Sequence, residues 1–223
     1  MKLELLKSGR PVGRTAMEWR IENRKEPSRC KDHPSWQYED KPWTNPPYPG
    51  RGQHSSIELH YLYRTAKLLG PCNVANLGTF RGSSASAMAH ALKKAGGGTV
   101  YAVDIFGCVS VEDFNNGEWT IQHLEEVFAE RGLSDYVEFC QGFTQDVVER
   151  FTDTKFKLIF IDADHQYESV KQDFELWSPL LEDDGLISFH DVDISGVDDL
   201  TKEIEDEWEM VDHVWKLKTY RKK

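Results

Sequence analysis

Short apolar segments alternate with longer helical segments from residue 73 onward, and this alternation constrains the fold most. Strands are predicted at residues 73–77, 99–106, 136–142, 157–163, 185–191 and 213–220. Helices are predicted at residues 55–69, 83–95, 118–131, 144–151, 167–181 and 197–209, and a turn is predicted at residues 183–185 before the fifth strand. The second, fourth and fifth strands are nearly continuous apolar runs, as in parallel strands covered on both faces. The pattern predicts an α/β fold with a doubly wound, mostly parallel sheet.

The first 54 residues differ from the rest, because they are rich in Trp, Pro and charge and show no clear period. We expect a short helix near residues 16–24 and then an irregular arm. Trp36, Trp43 and Tyr48 either form the roof of a substrate pocket or only pack the arm down. Ser55 and Glu58 have the spacing of a capping box at the start of the next helix. The chain is thus expected to consist of an N-terminal arm or lid (1–54) and one main domain (55–223).

Charge and cysteine usage limit the partners. The formal net charge is −11, while residues 1–50 carry 10 Lys or Arg against 7 Asp or Glu. An acidic main body repels a phosphate backbone, so nucleic acid is not expected as a partner. The basic arm either folds back onto the acidic body or meets an anionic substrate. The four cysteines are scattered, so we expect reduced thiols. No apolar run is long enough for a membrane span or signal peptide, so we expect no membrane partner and a cytoplasmic location.

Polar residues end strand after strand of the predicted sheet. In such sheets ligands bind outside the carboxyl ends of the strands, at the point where the strand order reverses. Each of these residues alone would more often be a turn or cap residue. Together they predict a site at one edge, formed by Asn76, Asp104, Gln141-Gly142, Asp162-Ala163-Asp164-His165 and His190-Asp191.

The loop NLGTFRGSS after the first strand predicts a cofactor site. Its glycines are Gly78 and Gly82, and Phe80 occupies the position where a dinucleotide loop needs glycine for a pyrophosphate to approach. A cofactor without phosphate is therefore favoured over a dinucleotide. Asp104 follows Gly82 by 22 residues and can accept hydrogen bonds from two ribose hydroxyls. The alternative is a plain turn with a helix-capping Asp.

Four segments together resemble the class I S-adenosylmethionine-dependent methyltransferases. They are LGTFRGSSASAMA, VYAVDIFG, FIDADHQYESVKQDFELWSPLL and GLISFHDV, within residues 70–200. The chain looks most like the small O-methyltransferase branch with catechol, caffeoyl-CoA and macrocin O-methyltransferases. The resemblance implies a Rossmann-like methyltransferase fold with a closing antiparallel strand pair, and S-adenosylmethionine as cofactor. The candidate cofactor residues are Asn76, Gly78, Thr79, Phe80, Gly82, Ser83, Ser84, Asp104, Ile105, Gly142, Phe143 and Asp162.

Two features depart from this branch. Asn76 stands where an acidic residue is usual, so it can accept a hydrogen bond but offers no charge to the ammonium group of the cofactor. The C-terminal tail is also short for the usual two strands, so that either the last hairpin is very tight or one strand is missing.

Acidic residues at the ends of the fourth and fifth strands predict a metal site. Neighbouring strands lie ~4.8 Å apart, and two carboxylates that close repel each other unless a proton or cation lies between them. Oxygen ligands suit Mg²⁺, and the resemblance implies a metal held by Asp162, His190 and Asp191. Because His190 stands where the branch carries Asp, a transition metal such as Mn²⁺ or Zn²⁺ is the alternative.

The resemblance implies that His165 acts as general base, and its imidazole suits that role near neutral pH. Asp164 orients His165, serves as an alternative base, contacts the cofactor, or only caps the helix that follows. The remaining histidines are assigned to structure: His54, His60, His90, His123 and His213.

These observations predict a methyltransferase acting on a hydroxyl of a sugar, a phenol or a secondary metabolite. An NAD-type oxidoreductase and a non-catalytic binding protein with the same fold are the alternatives. Oligomeric state stays open, although the arm could mediate a homodimer.

Overall fold

The computed structural model of the protein describes residues 54–106 and 121–223. The predicted helix near residues 16–24 and the arm with Trp36, Trp43 and Tyr48 lie outside the described residues. The strands of the described part are β1 (Cys72–Leu77), β2 (Gly98–Asp104), β3 (Val137–Gln141), β4 (Phe156–Ile161), β5 (Leu181–Phe189), β6 (Trp208–Val214) and β7 (Leu217–Lys222). The helices are α1 (Ser56–Leu69), α2 (Ser83–Ala95), α3 (Ile121–Glu130), α4 (Thr144–Val147), α5 (Tyr167–Trp177) and α6 (Ser195–Glu203).

All seven described strands form one sheet with the order β3-β2-β1-β4-β5-β7-β6. The first five strands pair in parallel, and β7 joins β5 and β6 antiparallel. The strand order reverses between β1 and β4, and the carboxyl ends of these two strands therefore meet at the switch point where such sheets bind ligands. The doubly wound fold predicted from the sequence is confirmed.

Two apolar clusters cover the two faces of the sheet. One lies under α1 and α2 and includes Leu62, Met88 and Phe160. The other lies under α5 and α6 and includes Trp177 and Phe189. Because consecutive residues of a strand point to opposite faces, a central strand such as β4 contributes buried side chains to both clusters. Strand β4 is thus buried on both faces up to the point where it ends.

The predicted turn at residues 183–185 is wrong. Helix α5 ends at Trp177, followed by a 3-10 turn, because Pro179 lacks the backbone N–H that a continuing helix needs. Strand β5 then starts at Leu181 and contains a register shift, since Leu181 pairs with Phe156 while Leu186 pairs with Leu158. The acidic residues of the expected turn are extra residues inside the strand.

The predicted last helix and single last strand are also corrected. Helix α6 ends at Glu203, and Trp208, which the prediction included in that helix, begins β6. Pairing at the sheet edge buries Trp208 and Val214, which outweighs helical preference here. A two-residue turn joins β6 to β7, with Val214 opposite Leu217 and Trp215 at a φ of +58°. The short tail thus holds both expected strands, with a very tight hairpin between them.

Candidate active site

The glycine loop after β1 is closely packed against the end of β4. Gly78 has a φ of +82°, and a Cβ atom at this position would lie 2.1 Å from the backbone oxygen of Asp162. Its N–H donates to Val103 O at 2.9 Å, which continues the sheet past the strand ends. Only glycine fits such a position, because it combines a left-handed conformation with a close backbone approach. The loop is therefore fixed by backbone contacts to both neighbouring strands.

Asp104 organises the backbone on both sides of its strand end. Its Oδ2 accepts from the N–H of Phe80 at 2.7 Å, and its Oδ1 accepts from the N–H of Phe106 at 3.0 Å. These contacts hold Phe80 and Phe106 at positive φ and end β2 two residues earlier than predicted. Each carboxylate oxygen can accept more than one hydrogen bond, so both stay able to accept a hydroxyl.

Several polar atoms of the cofactor candidates have no partner among the described residues. Asn76 donates from Nδ2 to Thr79 Oγ1 at 2.9 Å, but its buried Oδ1 and the buried hydroxyl of Ser84 make no hydrogen bond there. Helix α2 begins after Gly82 without a side-chain cap, so its first amides, including that of Ser83, are available to a ligand. Buried polar groups normally have partners, so these atoms are candidates to bind a polar ligand.

The loop after β3 lies beside Asp104. Gly142 donates its N–H to Asp104 O at 2.9 Å, and Gln141 donates from Nε2 to Ile105 O at 3.2 Å. Phe143 is 57% exposed although it is large and apolar. An exposed aromatic side chain at a strand-end loop can contact a flat ligand. Ile105, Gly142 and Phe143 therefore border the same edge as the glycine loop.

Five side chains meet at the ends of β4 and β5, and we call them the acid–imidazole cluster: His54, Asp162, His165, His190 and Asp191. His190 Nδ1 lies 3.0 Å from Asp162 Oδ1 and 3.5 Å from Asp191 Oδ2. His165 Nε2 lies 3.2 Å from Asp191 Oδ2 and 3.8 Å from Asp162 Oδ1. The structure thus brings together the predicted metal ligands and the predicted base.

His54 was assigned to structure from the sequence, yet its Nε2 lies 3.0 Å from Asp162 Oδ2. Its ring also packs on that of His190, with centroids 4.4 Å apart. No local pattern marks His54, because it precedes α1 by a short turn and reaches Asp162 only in the fold. The sequence analysis missed it for that reason.

Glu58 and Lys216 were also missed. Glu58 forms the predicted capping box with one oxygen. Its other oxygen accepts from the N–H of Lys216 at 3.1 Å and lies 3.4 Å from His190 Nε2. Lys216 Nζ in turn lies 3.2 Å from Asp191 Oδ1. The capping box could have drawn attention to Glu58, whereas nothing in the sequence relates Lys216 to the site.

The imidazoles and carboxylates shift each other's pKa values. Burial alone would raise the pKa of Asp162, but the three imidazoles hold it well below its usual range. Interaction with Asp162 and Asp191 raises the pKa of His165 to about 9, against the opposing effect of its partial burial. Burial would lower the pKa of His190, but its three carboxylate neighbours outweigh burial and raise the pKa. The carboxylates thereby favour the protonated rings of His165 and His190 near neutral pH.

Asp164 is placed at the start of α5 but is not its N-cap, which is Gln166. Its Oδ1 accepts from the backbone N–H of His165 at 2.7 Å, and its pKa is lowered mainly by a hydrogen bond with Ser169. Asp164 therefore holds the backbone of the His165 loop. Gly196 supports the same loop, since a Cβ atom there would lie 2.3 Å from His165 O.

The methyltransferase domain family model matches residues 75–192, which is more than half of the chain and includes the glycine loop, Asp104 and every member of the acid–imidazole cluster except His54. The chain belongs to this methyltransferase family. Among curated proteins, no match to the chain was found. In the described part of this methyltransferase, no helix is both long and apolar enough to cross a membrane.

Solved structures of O-methyltransferases are similar to this methyltransferase in fold. One is described as a putative caffeoyl-CoA O-methyltransferase from Staphylococcus aureus, with 17% identity, a TM-score of 0.61, and coverage of 77% of this chain and 86% of that one. A second is an O-methyltransferase from Bacillus cereus in complex with SAH, with 18% identity, a TM-score of 0.60, and coverage of 87% and 96%. A third is the O-methyltransferase TomG of tomaymycin synthesis from Streptomyces achromogenes in complex with SAM, with 14% identity, a TM-score of 0.60, and coverage of 83% and 91%.

Two sets of three donors in this methyltransferase have the spacing of metal ligands. They are His54, Asp162 and His190 in one set, and Asp162, His165 and Asp191 in the other. The three ligands expected from the sequence are divided between the sets, with only Asp162 in both. The Nε2 atoms of His54 and His165 are buried without a well-directed hydrogen bond to the described residues, and each lies close to Asp162 or Asp191. His190 faces the same two carboxylates with Nδ1, whereas its Nε2 faces Glu58. Such donors fit a shared cation, and imidazole nitrogens favour a transition metal over Mg²⁺.

Proposed function

We propose that this protein transfers the methyl group of S-adenosylmethionine to a hydroxyl of a small molecule, such as a sugar, a phenol or a secondary metabolite. One observation carries the proposal: Gly78 of the glycine loop touches the backbone of Asp162, so the cofactor loop and the acid–imidazole cluster form one continuous site. A methyl donor and a group that deprotonates the acceptor must lie this close for transfer to occur.

The cofactor is proposed to lie along the ends of β1, β2 and β3. Asp104 would accept hydrogen bonds from the ribose hydroxyls, while Asn76 Oδ1, the Ser84 hydroxyl and the amides at the start of α2 would bind the methionine part. Residues 142–143 and Ile105 would border the cofactor beyond Asp104. The complexes of relatives with SAM and SAH support this assignment at the level of the fold.

The proposed reaction is an in-line displacement. The acceptor oxygen attacks the methyl carbon. The electron pair of the carbon–sulfur bond passes to sulfur, and S-adenosylhomocysteine leaves. The acceptor proton passes to Nε2 of His165, which must be neutral at that moment. Because Asp162 and Asp191 favour the protonated ring, His165 has to release its proton to solvent before each turnover. Asp164 and Gly196 hold the backbone of His165, so the ring is presented from a fixed loop.

We also propose that the cluster holds a divalent metal, with Asp162, His190 and Asp191 as the ligands expected from the sequence and His54 as an added candidate. A metal bound there would lower the pKa of an acceptor hydroxyl and orient it. The mixed nitrogen and oxygen donors favour Mn²⁺ or Zn²⁺ over Mg²⁺.

Ligand-induced thermal stabilisation tests the cofactor. S-adenosylmethionine and S-adenosylhomocysteine should raise the melting temperature, since a ligand at 100 times its Kd adds about 2.7 kcal/mol of stability, while NAD should not. A shift with NAD alone would favour the oxidoreductase, and no shift with any of the three would favour a binding protein. Formation of S-adenosylhomocysteine with a panel of hydroxyl acceptors then tests the reaction.

Chelation tests the metal separately from the reaction. Treatment with EDTA should abolish turnover, and Mn²⁺ or Zn²⁺ should restore it. Metal analysis of the purified protein gives a readout that does not depend on activity. Unchanged activity in EDTA together with no bound metal would contradict the metal proposal and leave the methyl transfer intact.

The acidic excess of the main body opposes a phosphate backbone, so nucleic acid is not proposed as the acceptor. The cytoplasmic location and the homodimer stay predictions.

A further inference from the structure

Asp173 is a buried carboxyl group on α5 that takes no part in the proposed reaction. It is 4% exposed, and it accepts a hydrogen bond from the hydroxyl of Thr144. One turn further along α5, Trp177 donates from Nε1 to Thr144 O at 3.3 Å. Two side chains of one helix therefore bind the side chain and the backbone of the same residue.

Thr144 is the first residue of α4 and directly follows the loop of residues 142–143. Helix α4 has four residues and continues directly into a 3-10 helix at Val148–Phe151, and its N-cap residue, Phe143, makes no side-chain capping bond. So short a helical segment is not stable by itself, because nucleation costs more than the first hydrogen bonds return. Val147 and Phe151 fix its C-terminal part in the core, so the position of its first residue and of the preceding loop depends on other contacts.

The loop is bound from both sides. Gly142 donates to Asp104 O at 2.9 Å on the side of β2, and Asp173 with Trp177 binds Thr144 on the side of α5. Helix α5 begins just after His165, and Asp173 follows Tyr167 by six residues, which is ~9 Å along a helix. One helix thus connects the loop of the proposed base with the loop that borders the cofactor.

Burying the carboxyl group of Asp173 costs free energy when the group is charged. Burial raises its pKa to about 6, and the nearby charge of Asp164 adds to the effect. An apolar residue would fill the same space without this cost, but it could not accept the Thr144 hydroxyl. Asp173 therefore provides the hydrogen-bond acceptor for Thr144 that an apolar residue would lack.

We propose that Asp173 is a positioning residue for cofactor binding: it holds Thr144 so that residues 142–143 keep their place beside Asp104. This inference rests on the proposed cofactor site. Asp173 acts through Thr144 and touches neither the cofactor nor the acceptor. Loss of the contact should therefore weaken cofactor affinity while the catalytic rate at saturating cofactor stays nearly unchanged.

The test compares Kd for S-adenosylhomocysteine by calorimetry in the wild type and in Asp173→Ala, Asp173→Asn, Thr144→Val and Thr144→Ser. Asp173→Ala and Thr144→Val should each raise Kd about tenfold, as expected for the loss of one hydrogen bond. Asp173→Asn keeps an acceptor and Thr144→Ser keeps the hydroxyl, so both should bind like the wild type. Glu175→Ala, which removes an exposed carboxylate from the same helix, should also leave Kd unchanged.

A double variant separates positioning from general destabilisation. If Asp173 and Thr144 act as one contact, Asp173→Ala with Thr144→Val should lose no more affinity than either single change. Wild-type affinity in Asp173→Ala, equal losses in Asp173→Asn and Asp173→Ala, or additive losses in the double variant would each overturn the inference. Failure of the wild type itself to bind S-adenosylhomocysteine would instead overturn the proposed function.

Discussion

The two halves of the site are built in different ways. In the cofactor half, the glycine loop and Asp104 are held by backbone N–H groups, and Asn76 contacts a residue only three positions away. In the acid–imidazole half, side chains bind side chains from other elements, as His190 and Asp162 do although they are 28 positions apart. The first half depends on backbone conformation, so it is sensitive mainly at its glycines. The second depends on each partner, so it is sensitive at every side chain.

The largest effect is expected at Gly78, where the halves touch. Gly78→Ala would place a Cβ atom 2.1 Å from the backbone oxygen of Asp162, at a φ of +82°. We expect a loss of more than ~3 kcal/mol in the free energy of unfolding and loss of cofactor binding, because backbone must move on both strands. Urea denaturation and calorimetry measure the two effects.

Gly96 is a matched control for this change. It has the left-handed conformation, with a φ of +95° and a ψ of 15°, but a Cβ atom there meets nothing within 4 Å. Gly96→Ala should cost only about 1–2 kcal/mol for the left-handed conformation and should leave cofactor affinity unchanged. Equal losses in the free energy of unfolding at the two positions would show that the contact of Gly78 with the backbone of Asp162 does not affect stability.

The difference between residues held by local backbone contacts and residues held by distant side chains also decides what the sequence could predict. The α/β alternation, the glycine loop with Asp104, and the capping box are local patterns, and the structure places each where the sequence predicted it. His54 and Lys216 reach the cluster only through long-range packing, so no spacing reveals them. The turn expected at residues 183–185 and the helix expected over Trp208 failed because strand pairing outweighs local preference. The roles of the candidate residues stay predictions for both halves.

Removal of His165 should affect the second half alone. His165→Ala should lower kcat by about 100- to 10,000-fold, the usual contribution of a general base. Kd for S-adenosylhomocysteine should change little, because His165 contacts Asp162 and Asp191 through its ring and not the glycine loop. Steady-state kinetics and calorimetry provide the comparison.

His213→Ala is a suitable control for the loss of an imidazole, since His213 lies on the edge strand β6 and should leave kcat unchanged. Full activity of His165→Ala would remove His165 from the mechanism. A parallel loss of cofactor affinity would show that the two halves are not separable at this residue.

The smallest effect concerns how Asp173 makes the free energy of unfolding depend on pH. Asp173 lies on α5, between the two halves of the site. The folded state raises its pKa from 3.8 to about 6, chiefly through burial. The folded protein therefore binds more protons than the unfolded chain between about pH 4 and pH 6, and this group makes stability fall as pH rises through that window. Above it the charged form costs up to about 3 kcal/mol, since each pKa unit is worth about 1.4 kcal/mol.

Asp173→Asn removes this cost while keeping an acceptor for Thr144. Its gain in stability over the wild type should be near zero at pH 4, grow to pH 6 and then stay constant. Subtracting the wild-type curve cancels other carboxyl groups such as Asp162, whose lowered pKa acts in the opposite direction. Urea denaturation from pH 4 to pH 8 gives the difference, with Glu175→Gln, which changes an exposed carboxylate of the same helix, as the control variant. A flat difference for Asp173→Asn as well would mean that its carboxyl group is hydrated, and that α5 does not hold Thr144 through a buried charge.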